Sequence, residues 1–182
     1  MNDEIFKAEE SIYGLWWEGP YTLDELHSHA TSNEMTPSAW TIYSIYSDHP
    51  LYGHNVLTYV GKSLDVLGRL KNHNNEWWHG GVVRVASIYK FTTWKKYYND
   101  SYADAIIPSR QGKYNDNNGQ IVSRVEELLI LGLSPAYNNK NKSTANKSYD
   151  YRIFNYGSVG TVPREVSSRF WIENVPENSE QE

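Results

Sequence analysis

A β-hairpin constrains this chain more than any other feature. Ala39 to Ile45 is rich in β-branched and aromatic side chains and reads as a strand. Ser47 to Asn55 carries Asp48, Pro50 and Gly53 and reads as a loop. Val56 to Gly61 reads as the return strand. Ser63 with Asp65 then opens a short helix through about His73, with Leu64, Leu67 and Leu70 recurring every third residue.

Asn72 to Gly81 reads as a polar, Trp-containing loop and Val82 to Phe91 as a third strand. Residues 92–119 form a long insertion, mostly irregular, with a helical turn expected near Tyr102 to Ile107. Gln120 to Leu133 is a clear helix: Ile121, Val122, Val125, Leu128, Leu129 and Gly132 keep the i, i+3/i+4, i+7 spacing, and Ser134-Pro135 ends it. Residues 1–39 read as acidic and loop-like, with Glu18-Gly19-Pro20 as a turn and Thr22 with Glu25 as a capping box. Asn138 to Ser148 reads as a polar linker or arm. Tyr151 to Phe154 and Val166 to Ile172 read as short terminal elements, and Glu173 to Glu182 has a disordered composition. The expected division is a 1–38 extension, a 39–140 core and a 141–182 extension. No internal repeat is visible.

A chain of 182 residues suits one compact domain with extensions. Its 15 Tyr and 7 Trp either fill a modest core or stack on bases. There is no Cys, which excludes disulfides and thiolate metal sites and suits a reducing cytoplasm. No apolar run approaches the ~18–20 residues of a membrane span, and the acidic start lacks a signal peptide's basic and apolar regions. The expectation is a soluble cytoplasmic protein with no membrane partner. The net charge of −5 hides an asymmetry: residues 1–60 hold one base and nine acids, but residues 61–150 hold thirteen bases and eight acids. That fits a basic face on an acidic protein.

The positive middle contains two short Tyr motifs. Thr41-Ile42-Tyr43 is followed by Tyr59-Val60-Gly61, with Arg69 ten residues after Tyr59 and His73 four after that. Glu126 stands nine residues before Pro135 and twelve before Asn138. Across about residues 39–140 this order and spacing resemble the GIY-YIG nuclease family. Thr41 stands where the first Gly of the family's name would be, and sixteen residues separate Tyr43 from Tyr59. Tyr46 is therefore a rival for the first Tyr position. The resemblance implies an α/β core of the α+β type: a small three-stranded antiparallel sheet flanked by helices, with both termini extended.

It also implies roles. Tyr43 helps take a proton from the attacking water, although a phenol with pKa near 10 is a poor base unless a cation lowers it. Tyr59 shares the network that orients the water. Arg69 grips the phosphate with two parallel hydrogen bonds and offsets developing charge. His73, one helical turn on, contacts the phosphate or a Tyr hydroxyl. Glu126 holds magnesium or manganese, and no second carboxylate matches the motif, so one metal is expected. Asn138 holds the loop after the last helix, and Lys62 touches the phosphate. Lys95, Lys96, Arg110 and Lys113, with Tyr97 and Tyr98, suit backbone contacts and stacking. Read alone, each residue has a plainer role: Tyr43 and Tyr59 as packing aromatics, Arg69 and Glu126 as solvated charges, His73 as a structural histidine. His27, His29, His49 and His54 show no zinc spacing.

The expected function is a metal-dependent DNA endonuclease acting on double-stranded DNA and leaving 5′-phosphates. The alternatives are an RNA or branched-DNA nuclease, a catalytically inactive nucleic-acid-binding module, and a protein-interaction module. A double-strand cutter with one site needs two subunits or two events, so a homodimer is one expectation.

Overall fold

A computed structural model describes residues 11–32, 40–76, 78, 80–91, 119–140 and 151–169. The elements are β1 (Ser11–Tyr21), α1 (Leu23–Ser32), β2 (Thr41–His49), β3 (Gly53–Ser63), α2 (Val66–Glu76), β4 (Val82–Phe91), α3 (Gln120–Leu133), β5 (Tyr151–Gly157) and β6 (Glu165–Ser167). The strands form one sheet in the order β3-β2-β4-β1-β5-β6. Its neighbours are antiparallel except β1 and β5, which run parallel.

The expected three-stranded antiparallel core is therefore wrong: the sheet has six strands and is mixed. The error lies mainly in residues 1–39. Ser11–Tyr21 is a strand in the sheet interior, with Ile12, Tyr13, Leu15 and Trp17 all buried. Adjacent strand residues face opposite sides. A strand buried on both faces shows no polar–apolar alternation, and its acidic surroundings made it resemble a loop. The turn placed at Glu18-Gly19-Pro20 is a register shift within this strand. Its parallel partner comes from the expected terminal elements. Trp17 Nε1 donates to Asn155 Oδ1 at 2.9 Å, which links β1 to β5 inside the fold. The sheet thus crosses both expected boundaries of the 39–140 segment.

The two faces carry separate cores. On one, Leu26, Val66, Leu70 and Trp78 pack on Tyr43, Ile45, Val83 and Val85. On the other, Val122, Val125 and Leu129 of α3 pack on Leu15, Trp17, Ile42, Val60, Ala86 and Ile153. Ile42 and Tyr43 belong to different cores, as alternation along β2 requires.

Local chemistry sets the ends. The capping box at α1 is present: Glu25 N–H donates to Thr22 Oγ1 at 3.2 Å and Thr22 N–H to Glu25 Oε2 at 2.7 Å. At α2 the Asp65 carboxylate accepts the Gly68 N–H at 2.9 Å, so the helix begins later than Ser63. It also runs a turn past His73, to Glu76. The hairpin loop is shorter than the nine residues expected. Asp48 Oδ1 accepts the Asn55 N–H at 3.0 Å, and Gly53 takes a φ of 97°, so both strands continue into the predicted loop. The expected helical turn near Tyr102 to Ile107 and most of the Asn138 to Ser148 linker lie outside the described residues. Among the described residues no helix is long and apolar enough to cross a membrane.

Candidate active site

β2 and β3 place the two tyrosines. Tyr43 pairs with Gly61 across the ladder, and Ile45 with Tyr59. The Tyr43 and Tyr59 rings stack at 6.0 Å and 25°. α2 brings Arg69 and His73 to the same place. The Tyr43 hydroxyl lies 3.0 Å from His73 Nε2, and the His73 ring is 4.9 Å from that of Tyr59. Arg69 lies within reach of the hydroxyls of Tyr43 and Tyr59 and acts on both. Arginine can only donate, so each oxygen can only accept from it. The Tyr43 hydroxyl can donate to Nε2 when His73 carries its proton on Nδ1.

The surroundings tune each group. Burial, reinforced by Tyr59, raises the Tyr43 phenol well above its ordinary value, and Arg69 offsets only part of this. The cation expected beside Tyr43 is present, but desolvation outweighs it. Burial, then the Arg69 charge, lowers the His73 imidazole. His73 is therefore neutral near pH 7 and is the better proton acceptor of the pair. Partial burial pulls the Arg69 guanidinium down, but Tyr43 and Tyr59 together outweigh that and leave it raised. Arg69 remains exposed and keeps further N–H groups for a phosphate.

Glu126 comes from α3. Burial pushes its carboxyl up to about 6, with Lys62 acting against the rise. Lys62 Nζ is 3.8 Å from Glu126 Oε2. The same ammonium donates to Ser123 Oγ and sits 5.6 Å from the Trp40 ring centroid. Lys62, expected to touch a phosphate, here holds the carboxylate. Glu126 is close enough to Tyr43 for its charge to raise the phenol further. A partly buried carboxylate that its lysine only partly neutralises suits a hard cation such as magnesium, which takes its other ligands from water and phosphate oxygens.

Asn138 ties α3 to the second Tyr motif. Its Oδ1 accepts the Val60 N–H at 2.9 Å and its Nδ2 donates to the Val60 carbonyl at 2.8 Å. Tyr137 N–H donates to the Thr58 carbonyl at 2.8 Å, so this loop covers the outer edge of β3. Tyr43, Tyr59, Arg69 and His73 thus meet on the α2 side of the sheet, within reach of the Glu126 charge from α3, and Asn138 fixes the second Tyr motif.

Tyr46 faces the other side. The Arg84 guanidinium lies 4.6 Å from its ring centroid, and its hydroxyl accepts the Thr161 N–H at 3.2 Å. Lys95, Lys96, Arg110 and Lys113 lie outside the described residues. Sequence reasoning missed Ser123 and Trp40. Ser123 stands one turn before Glu126 on its helix, and Trp40 directly precedes the first motif. Both spacings were available as signals. Comparison with protein families, with curated proteins and with solved structures returns no match.

Proposed function

We propose that this protein is a metal-dependent DNA endonuclease that hydrolyses phosphodiester bonds by a one-metal mechanism. The reading rests on one observation: four motif residues from two strands and a helix come together around the Tyr43 hydroxyl, within reach of the Glu126 charge. In this reading a water attacks phosphorus in line. Its proton goes to the Tyr43 oxygen as Tyr43 gives its own to His73 Nε2. This relay never requires a free phenolate, which the buried Tyr43 disfavours. Arg69 uses its remaining N–H groups on the phosphoryl oxygens, where charge develops. Tyr59 holds the Arg69 fork in place. Glu126 would hold a magnesium or manganese ion, which when bound supplies Lewis-acid support to the leaving 3′-oxygen.

The test is incubation with supercoiled plasmid and magnesium, with and without a chelator, followed by sequencing of the ends. Magnesium-dependent nicks with 5′-phosphates are expected. DNA binding without any nicking would replace the enzyme with a binding module.

A further inference from the structure

The face of the sheet that carries α3 also holds a cation without a counter-charge. Arg84 stands on β4, directly opposite Ser44 of β2 and diagonal to Tyr46. Its guanidinium lies 4.6 Å from the Tyr46 ring centroid. Its Nε and Nη1 atoms are buried and have no hydrogen-bond partner. The Ser44 side chain opposite is fully buried, and its Oγ has no partner either. None of the ion pairs among the described residues includes Arg84. The cover is backbone. The Tyr46 hydroxyl accepts the Thr161 N–H at 3.2 Å, which pins the loop between β5 and β6 over this place. A Cβ on Gly160 would stand 3.1 Å from Arg84 Cζ and 2.6 Å from the Tyr46 hydroxyl oxygen.

We infer that Arg84 and Ser44 bind a small oxyanion of the phosphate class beneath this loop. Three polar atoms, from two paired strands and on one face, lack partners at the same place. Taking a charge out of water is costly unless an opposite charge accompanies it. The Tyr46 ring offsets part of that cost but brings no negative charge. A water molecule would accept hydrogen bonds here and still leave the guanidinium uncompensated. The planar guanidinium offers parallel N–H bonds to two oxygens of one anion, and the Ser44 hydroxyl can donate to a further oxygen. A single round ion such as chloride makes less use of that fork. Nε and Nη1 are closed off from the surface, so the ion is small and free rather than a phosphate of a polymer. The inference does not depend on the nuclease reading, because Ser44 and Arg84 face away from Tyr43.

The experiment is thermal unfolding in Tris chloride, with sodium phosphate titrated in at constant ionic strength. The wild-type melting temperature should rise and saturate, by roughly 5–10 °C at a hundred-fold excess over the dissociation constant. Arg84→Met should lose this rise. Without phosphate it should melt no lower than the wild type, since it replaces an uncompensated charge with an apolar stem. Arg84→Lys keeps the charge without the planar fork, and Ser44→Ala removes one hydroxyl. Each should bind phosphate about ten-fold more weakly. These two small changes carry the test if Arg84→Met does not fold. The absence of a saturable rise in the wild type would sink the inference. A rise shared alike by the wild type and the variants would be the general exclusion of phosphate from protein surfaces, and would sink it too. Unchanged phosphate affinity in both Arg84→Lys and Ser44→Ala would remove these residues from the site. Weaker binding of duplex DNA by Arg84→Lys, with no phosphate effect on the wild type, would replace the free anion with a DNA contact.

Discussion

The Tyr43 ring lies against the backbone of Gly61, its partner on the neighbouring strand. A Cβ on Gly61 would stand 2.6 Å from the Tyr43 hydroxyl oxygen and 2.7 Å from Cε1 of Tyr59. Only glycine leaves room for the two stacked rings. Gly61→Ala should cost about 1–3 kcal/mol of stability, as overpacking does, and should disable cleavage. Urea unfolding and plasmid nicking check this. A stable, active variant would show that the rings are not held there.

Phe keeps a ring and removes its hydroxyl. Tyr43→Phe breaks the bond to His73 and removes the hydroxyl that Arg69 acts on, so single-turnover cleavage should slow by about 10²-fold or more. Tyr46→Phe loses its bond to Thr161 on the opposite face. It should cost about 1 kcal/mol of stability and leave the rate nearly unchanged. The reverse order of effects would place the first motif at Tyr46.

Glu126→Gln should abolish cleavage while DNA binding survives. Glu126 is held neutral more readily than a free carboxyl, so the amide should be no less stable than the wild type at pH 8 without metal. Magnesium should raise the melting temperature of the wild type and not of the variant, since only the carboxylate binds the ion. Glu127→Gln should be mild by every measure. Equal loss from both changes would remove Glu126 from the site.

His73 and Glu126 should tilt the stability–pH curve in opposite directions. The fold lowers the His73 pKa. Its contribution is therefore complete above the ordinary imidazole value and is lost as pH falls from that value through the folded one, because the unfolded chain binds the proton first. The fold raises Glu126 from 4.5 to about 6. The folded state then holds the proton longer, so stability is lost as pH rises across that interval. Denaturant unfolding across the acid range should show a rise with pH that disappears in His73→Gln, and a fall that disappears in Glu126→Gln. Parallel curves for all three proteins would contradict both assignments.

The grouping of the motif side chains was more legible than the sheet. Tyr43, Tyr59, Arg69 and His73 sit close together in sequence, and helix and strand periods alone bring them near one another. Val82–Phe91 and Gln120–Leu133 were legible for the same reason: each declares itself by local pattern. β1 did not, because burial on both faces erases alternation and its partner Tyr151–Gly157 lies far along the chain. Nor could spacing show that burial would outweigh Arg69 at Tyr43, or that Lys62 would turn toward Glu126. Both depend on which core covers which face.

The parallel pairing of β1 with β5 makes solubility depend on residues remote from the site. Until Tyr151–Gly157 is in place, Ser11–Tyr21 is the last strand of its sheet, with an unpaired edge lined by Ile12, Leu15 and Trp17. A bare apolar edge recruits other chains. The last strands of the sheet therefore act as a built-in guard against self-association, even though they contribute nothing to the chemistry proposed for Tyr43 and Glu126.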